Sequence, residues 1–189
     1  MRPILFLLML AVCWVGSAAA QDRKAGHLEH IKSSKQLRVC IWPDYYGITF
    51  RNPKSLQLGG IDIEMANELG KELGVPVQFV DSSFAKLIDD VTQDHCDVAM
   101  FAIGITPQRA EKLRFTSPHL LSDIYAVTTK SNRRIKTWDD IDKVGTIVAV
   151  TKGTVHEPVM KARLRVAQLL ILDTPFAREQ EVQSGRADV

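Results

Sequence analysis

Alternating strand and helix patterns are the feature that most limits what this chain can fold into. Compact apolar runs predict β-strands at residues 37–41, 75–80, 98–103, 124–128, 146–150 and 168–172. Helices are predicted over residues 61–73 up to Gly74, after a Ser83 cap, at Thr106–Pro107, after Thr154 and at Thr174–Pro175. Elements of these lengths in this order predict an α/β protein with parallel-rich sheets flanked by helices.

The pattern at residues 61–73 also predicts which side of that helix is buried. Apolar residues recur there at helical spacing: Ile61, Met65, Leu69 and Leu73, with Ile63 and Ala66 widening the stripe. We expect this stripe to face the core. The same argument predicts an apolar face for the next helix, formed by Phe84, Leu87, Ile88 and Val91.

A short internal repeat indicates that the α/β pattern occurs twice. Val91 and Val182 each lie six residues before an Asp–Val pair, Asp97–Val98 and Asp188–Val189. Both segments pass from a helix end through a polar turn into a strand. The first strand continues to residue 103, whereas the second stops at Val189. The sequence therefore predicts a second unit that is cut at the start of a strand.

The first residues predict export. Arg2 precedes an uncharged apolar stretch at residues 4–15, and Ala18–Ala20 supply the small residues of a cleavage site, so residues 1–20 are predicted to be a cleaved signal peptide. A retained anchor is an alternative, but the stretch is shorter than the ~20 residues of a bilayer span. A lipoprotein signal at Cys13 is a second alternative, disfavoured by the bulky residue before the cysteine.

Charge and cysteine content exclude several classes of protein. The 24 Lys+Arg and 22 Asp+Glu give a net charge of +2, which leaves no basic field for nucleic-acid binding. The 46% of hydrophobic residues excludes a disordered chain. No Cys/His spacing predicts a metal site, and no cofactor motif occurs. After export Cys40 and Cys96 remain, either as a disulfide or as two free buried thiols.

Residues 102–109 are the most informative segment for function. The segment runs from a strand end through a small-residue loop into a helix capped by Thr106, and it carries Arg109. Free N–H groups at a helix start favour an anion, and an arginine adds a bidentate fork that suits a carboxylate. The alternative is an ordinary surface arginine. Trp42 and Tyr45 follow the first strand at the same predicted sheet edge, where they either pack against a ligand or cap the core.

The order of motifs resembles family 3 of the extracellular solute-binding proteins, the periplasmic amino-acid receptors of ABC transporters. The matching pieces are Leu37-Arg38-Val39, Pro43-Asp44-Tyr45, Gly60-Ile61-Asp62-Ile63-Glu64, Asp97-Val98-Ala99, Ile105-Thr106-Pro107-Gln108-Arg109, Phe115-Thr116, Val148-Ala149-Val150, Gly153-Thr154 and Gly185-Arg186-Ala187-Asp188. The resemblance implies a two-lobe, type II periplasmic binding protein-like fold. It divides the chain into a signal peptide (1–20), a polar leader with solvated His27 and His30 (21–35), lobe 1 (36–130) and a partial lobe 2 (131–189).

The resemblance also implies a function and a set of binding residues. The protein would be a monomer in the periplasm that captures an amino acid, without a cofactor, and presents it to an inner-membrane ABC permease. The implied contacts are Arg109 for the ligand carboxylate, the backbone of Ala102 and Gly104 beside it, Tyr45 and Trp42 for the ligand side chain, and Thr154 with the Val155 N–H from lobe 2.

Three departures from the family pattern lower the expected affinity. Gly104 stands where the family usually has Ser or Thr, and Val155 stands where a second Thr is common. The acidic residue for the ligand ammonium group would lie past Val189. Micromolar binding needs about 8 kcal/mol, whereas one charged hydrogen-bonded contact gives about 1.5–3 kcal/mol, so the 189-residue chain is predicted to bind its ligand poorly or not at all.

Two alternative functions remain open at the level of sequence. Related folds include cyclohexadienyl dehydratases, which would need an additional acid or base in the cleft, and Glu157 is the nearest acidic candidate. A ligand-sensing module is the second alternative. The sequence does not specify which amino acid or solute binds.

Overall fold

The computed structural model describes residues 26–174 and 176–189. The predictions for the signal peptide and Cys13, and the proline of the predicted Thr174–Pro175 helix start, lie outside the described residues. Within the described residues, the helices are too short or too polar to cross a membrane.

The elements alternate along the chain much as the sequence patterns predict. The strands are β1 (Leu37–Ile41), β2 (Asp44–Tyr45), β3 (Thr49–Arg51), β4 (Leu58–Gly59), β5 (Val77–Asp81), β6 (Val98–Ala99), β7 (Ile147–Thr151) and β8 (Gln168–Leu172). The helices are α1 (His27–Ser34), α2 (Ile61–Leu73), α3 (Leu87–Thr92), α4 (Pro107–Ala110), α5 (His156–Arg163) and α6 (Ala177–Gln183). A single turn of 3-10 helix spans Trp138–Asp140.

The first unit, residues 37–113, is built on a parallel sheet in the order β5-β1-β6. β1 pairs with β5 along its whole length, and Val39 lies opposite Val98 of β6. β2, β3 and β4 form a small antiparallel sheet after β1. The core on the α2 side is a cluster of buried residues: Ile31, Leu37, Val39, Ile41, Ile63 and Ala66. A second cluster on the other side contains Trp42, Leu87 and Phe101.

The second unit, residues 135–189, repeats the same arrangement on a smaller scale. β7 and β8 pair in parallel, with Ile147 opposite Gln168. The last residue, Val189, lies along the free edge of β7, where its carbonyl accepts a hydrogen bond from the Ala149 N–H at 2.8 Å. Val148, Val150 and Met160 are buried between the sheet and α5. The prediction of an α/β protein with parallel sheets flanked by helices is therefore confirmed.

The predicted buried stripe of α2 is only partly correct. The residues Ile61, Met65 and Leu69 are exposed. The buried side carries Ile63 and Ala66 of the predicted stripe together with Gly70, and Leu73 packs against the core. A Cβ at Gly70 would lie 2.5 Å from the Cγ2 of Val77, so the small residues let the helix approach β5 more closely than a leucine side would. Helical spacing identified the element, but side-chain size determines which face packs. The predicted end at Gly74 is confirmed by its left-handed backbone.

Three further sequence predictions differ from the structure. Residues 124–128 form no strand and belong to none of the described sheets. The predicted strand at 98–103 is reduced to Val98–Ala99, since the chain turns away at Ala102, which has a φ of 49°. The helix predicted after Ser83 begins only at Leu87, after a turn in which the Ser83 hydroxyl accepts the Lys86 N–H.

The predicted polar leader contains the helix α1. Its Ile31 is buried in the core of the first unit. His27 and His30 are both exposed, as predicted, although the Nε2 of His27 also lies 2.8 Å from the carbonyl oxygen of Asp97. The leader is therefore packed against the first unit through at least one apolar and one polar contact.

Cys40 and Cys96 form a disulfide in the middle of the first unit. It joins β1 to the turn before β6, and both cysteines are fully buried. The sequence left open whether these residues pair, and the structure answers the question in favour of the disulfide.

Candidate functional site

The candidate site lies where the loops after several strands meet. Residues 102–106 follow β6, Trp42 follows β1, and residues 152–155 follow β7. The carboxyl ends of parallel strands share one edge of a sheet, which is where open α/β sheets place their ligands. The structure brings these loops of the two units into direct contact.

Arg109 lies at the centre of that contact. It belongs to α4, whose start is capped by Thr106: the Thr106 hydroxyl accepts the Arg109 N–H at 3.3 Å. The Arg109 side chain is only 6% exposed. Its Nη1 donates to the carbonyl of Gly104 at 2.7 Å, and its Nη2 donates to the carbonyl of Gly153 in the second unit at 2.8 Å. The alternative of an ordinary surface arginine is therefore wrong.

The charge of Arg109 is not balanced by a carboxylate of the described residues, since its recorded acceptors are two neutral carbonyls. Burial lowers the pKa of the guanidinium. Arginine nevertheless stays protonated near neutral pH, because its ordinary pKa is so high. A buried cation that is bound only by carbonyl groups is a strong attractor for an anion.

An aromatic cluster packs against the guanidinium of Arg109. The Phe84 ring lies 5.5 Å from the guanidinium carbon, a cation–π distance. Trp42 and Tyr45 pack against Phe84 with ring centroids 5.3 and 6.2 Å away, and Phe101 packs at 5.0 Å. The sequence predicted Trp42 and Tyr45 at this edge but assigned Phe84 to a helix face. A phenylalanine two residues after Ser82, which follows β5, was the signal that could have placed it here.

The loop after β6 carries Ala102 and Gly104. The Ala102 N–H donates to the buried carboxylate of Asp62 at 2.7 Å, so this amide is already engaged within the protein. Gly104 contributes its carbonyl to Arg109. A Cβ at Gly104 would lie 3.0 Å from the Cγ1 of Val155. The two departures from the family pattern, at positions 104 and 155, therefore lie against each other.

The second unit reaches the site through the turn after β7. Gly153 has a φ of 76°, and a Cβ there would lie 2.6 Å from the backbone nitrogen of Ala85 in the first unit. The Thr154 hydroxyl is buried and donates to the carbonyl of Thr151 at 2.7 Å. Within the described residues, the Val155 N–H at the start of α5 has no recorded acceptor. Thr154 and Val155 thus lie at the site, with the hydroxyl engaged and the amide available.

Glu157 is also close to this turn, but its carboxylate has partners. It accepts the Gly153 N–H at 2.8 Å and pairs with Lys161 at 2.6 Å. The hydrogen bond from Lys161, together with that from the Gly153 backbone, holds the pKa of Glu157 below its usual value. A general acid at neutral pH requires the opposite shift.

Comparison with known proteins identifies relatives along most of the chain. Residues 37–189 match the family described as bacterial extracellular solute-binding proteins, family 3. The cyclohexadienyl dehydratase of Pseudomonas aeruginosa is 29% identical over 97% of this chain and 67% of its own. The L-cystine-binding protein TcyJ of Escherichia coli is 26% identical over 99% of this chain and 70% of its own. The chain thus spans about two thirds of the length of these curated relatives.

Solved structures agree with the fold. The crystal structure of an ancestral amino-acid-binding protein, a precursor of cyclohexadienyl dehydratase, superimposes with a TM-score of 0.77 at 34% identity, over 85% of this chain and 71% of that one. An amino-acid ABC transporter substrate-binding protein of Streptococcus pneumoniae, bound to L-arginine, has a TM-score of 0.78 at 28% identity, over 86% and 68%. Most of the curated relatives are named as binding proteins, and the dehydratase is named as an enzyme.

Proposed function

Because the chain belongs to the bacterial extracellular solute-binding proteins of family 3, we propose that it binds an amino acid or a similar small polar solute for an ABC importer. The observation that carries the proposal is Arg109, a buried guanidinium whose recorded acceptors are two carbonyl groups. A ligand carboxylate would replace a neutral acceptor with a charged one at the same fork, and charged hydrogen bonds are about twice as strong.

The groups around Arg109 fit the rest of an amino acid. The Val155 N–H and the start of α5 face the same carboxylate from the second unit, where a helix N-terminus favours negative charge. Tyr45 and Phe84 are partly exposed and offer aromatic faces for the ligand side chain, whereas Trp42 is only 7% exposed and packs behind them. In this proposal Gly104 contributes only backbone, since it has no hydroxyl to donate.

We further propose that the two units form the bodies of the two lobes of the binding domain, residues 36–130 and 131–189. Closure would be a hinge motion in the connection at residues 126–132. Support comes from the contacts between the units at the site, where Arg109 of the first binds Gly153 of the second. In this proposal a ligand that enters between the two units would replace these contacts.

The remaining parts of the proposal concern where the protein works and with what. We propose export to the periplasm through cleavage after Ala20, a monomeric state, and delivery of the ligand to an inner-membrane permease. The family description as extracellular and the names of ABC transporter-binding relatives support this assignment. Cell fractionation with mass determination of the mature protein tests the export step: a mature chain that begins at Gln21 is the expected result.

Titration by ¹⁵N NMR tests ligand binding even when the affinity is low. Each of the common L-amino acids, and L-cystine, is added to the labelled chain up to millimolar concentration. We expect at least one ligand to shift the signals of Gly104, Arg109, Thr154 and Val155. A ligand set that shifts no signal at this edge would contradict the proposal.

A pair of arginine variants makes the titration specific. Arg109→Gln removes the fork and is expected to raise the dissociation constant about 10- to 100-fold. Arg114→Gln removes an exposed arginine on the same segment and serves as the control, with no change expected. Equal effects of the two variants would show that Arg109 is not the carboxylate site.

An enzyme on the same fold is the second candidate, because a cyclohexadienyl dehydratase is among the relatives. The partners of Glu157 argue against it as the acid, since they keep it ionised. Incubation with prephenate and with arogenate measures dehydration directly. We expect no turnover above the uncatalysed rate, and turnover that disappears in Glu157→Gln would establish the enzyme instead.

A further inference from the structure

We propose that Asp62 is a positioning residue of the carboxylate site: its buried carboxylate fixes the loop of residues 102–104, which in turn orients Arg109. That this site binds a carboxylate rests on the proposed function. The contacts from Asp62 to Ala102 and from Gly104 to Arg109 do not depend on that proposal.

The Asp62 side chain is isolated from solvent inside the first unit. The residue is 3% exposed, and its Oδ2 accepts the Ala102 N–H at 2.7 Å. Its other oxygen, Oδ1, is buried and has no partner among the described residues. A buried carboxylate with an unpartnered oxygen is costly, so it is expected to persist only where the remaining contact is needed.

The place of Asp62 in the fold explains why a carboxylate is tolerated there. Asp62 lies in the first turn of α2, a helix of 13 residues, where the helix dipole stabilises negative charge. The turn is held in place because the Asp62 N–H donates to the carbonyl of Ile48. The side chain is thus anchored on a regular element and reaches across to a loop 40 residues later in the chain.

The contact falls at the point where the loop changes direction. Ala102 has a φ of 49°, a left-handed conformation that an alanine rarely adopts. Strained backbone of this kind persists when neighbouring groups determine it. Here the short hydrogen bond to Asp62 holds the amide of the strained residue itself.

From this point the contacts lead directly to the site. Two residues after Ala102, the Gly104 carbonyl accepts Nη1 of Arg109. The conformation at residue 102 sets the direction of the chain and therefore the position of that carbonyl. Asp62 thus acts on Arg109 through two backbone groups and does not touch it.

The other buried carboxylate of the first unit shows the contrast. Asp97 is paired with Arg38 and holds the start of β1, far from the loop edge. Among the described residues Asp62 has no such ion pair, and it contacts the opposite, carboxyl-terminal end of the sheet. Asp97 therefore has an evident role in stabilising the fold through its ion pair with Arg38. Asp62 has no ion pair of this kind in the described part of the chain, so its position beside the loop at Ala102 calls for another explanation.

Ligand-free NMR of the full chain provides the test. The variants are Asp62→Ala, Asp62→Asn and, as the control, Glu64→Ala, which removes an exposed carboxylate from the same turn of α2. The readouts are hydrogen exchange of the Ala102 amide and of the Arg109 guanidinium protons, with the melting temperature measured in parallel. Asp62→Asn retains an acceptor for the Ala102 N–H and so serves as the conservative variant.

The expected result is a change at two specific places. Asp62→Ala speeds exchange at Ala102 and at the Arg109 guanidinium about tenfold or more, because a charge-assisted hydrogen bond is lost. Asp62→Asn speeds exchange at the Ala102 amide and at the Arg109 guanidinium by a smaller factor. Glu64→Ala leaves both exchange rates unchanged. A drop in melting temperature with both sets of protons unchanged would overturn the proposal. Should Asp62→Ala not fold, unchanged Ala102 and Arg109 signals in Asp62→Asn would overturn it equally.

Ligand titration separates this proposal from the proposed function. If no amino acid shifts the signals of the wild-type chain, the function fails, while the exchange data still decide the role of Asp62. If an amino acid binds and Asp62→Asn binds it as tightly, with Ala102 and Arg109 unperturbed, Asp62 has no positioning role and the function stands.

Discussion

In both units, an aspartate carboxylate accepts a backbone N–H of the first strand of the sheet. In the first unit, the Asp97 carboxylate accepts the Arg38 N–H at 2.7 Å. In the second, the Asp188 carboxylate accepts the Ile147 N–H at 2.9 Å. Each aspartate also pairs with an arginine, Arg38 in the first unit and Arg134 in the second. The repeated Asp–Val pair of the sequence is therefore a structural repeat.

The units differ in what they add to this shared frame. The first adds a disulfide, a cluster of four aromatic rings and Arg109. The second contributes backbone groups to the site, namely the Gly153 carbonyl and the Val155 N–H. The repeat thus maintains the fold in both units, while the first unit supplies the guanidinium and the aromatic cluster of the site.

The largest expected effect comes from the disulfide, which only the first unit possesses. Replacing both Cys40 and Cys96 with serine opens a link across 56 residues, and the free energy of unfolding of the first unit is expected to fall by about 4 kcal/mol. Urea unfolding followed by NMR signals from each unit measures this. Loss of stability to the same extent in the second unit would show that the two units unfold as one.

The paired aspartates provide the next comparison. Asp97→Ala leaves Arg38 without its buried partner and should cost about 3 kcal/mol, since the Asp97 side chain is 1% exposed. Asp188→Ala should cost about 1 kcal/mol, because that side chain is 19% exposed. Chemical denaturation of the two matched variants tests the order. Equal losses of unfolding free energy in the two variants would mean that burial does not determine how much each aspartate–arginine pair stabilises its unit.

Acidification should affect the second unit first. Burial, with a smaller contribution from the Arg178 charge, lowers the pKa of His156, so the unfolded chain takes up a proton near pH 6.5 before the folded chain does. The stability of the second unit should therefore fall as the pH drops below about 6.5, and His156→Gln should remove this dependence.

The first unit should resist the same change until much lower pH. Although burial alone would raise it, the pKa of Asp97 is held below its usual value by hydrogen bonds from Arg38. The contribution of that carboxylate is present above about pH 4 and is lost as the pH falls through the folded pKa. Urea midpoints for signals of each unit between neutral and acid pH check both statements. A first unit that weakens near pH 6.5 would contradict them.

The smallest effect is expected at the contact between the units. Gly104→Ala places a methyl group 3.0 Å from Val155, which must shift by a few tenths of an ångström. A double-mutant cycle with Val155→Ala should give a coupling energy of about 0.5–1 kcal/mol. Thermal melts of the four proteins measure it. A coupling of zero would mean that Val155 and Gly104 do not touch in solution.

Much of the fold could be predicted from local patterns. β1 and β8 have the predicted bounds, and α2 ends at Gly74 as expected, because each depends on propensity and on a nearby stop signal. The strand predicted at residues 124–128 failed because a strand requires a partner, which no local pattern supplies. The buried side of α2 was predicted only in part, because Gly70 carries no hydrophobic signal, although its small size allows the close packing.

At the candidate site, too, local features could be predicted from the sequence, whereas contacts between distant residues could not. Its cap at Thr106 and its arginine could be identified from the order of residues in one segment. The position of Phe84 under Arg109 and the contact of Asp62 with Ala102 could not be, since each joins residues far apart in the sequence. The ligand-binding roles of all the candidate residues remain predictions: Trp42, Tyr45, Ala102, Gly104, Arg109, Thr154 and Val155.

The close approach of Gly153 to Ala85 provides a way to measure closure of the two units. Any side chain at position 153 would act as a wedge, because a methyl group would already lie 2.6 Å from the neighbouring backbone nitrogen. A Gly153→Ala chain would then hold the two halves apart. Fluorophores on the two units would give such a chain a fixed open-state signal, against which closure of the native sequence by a solute could be calibrated.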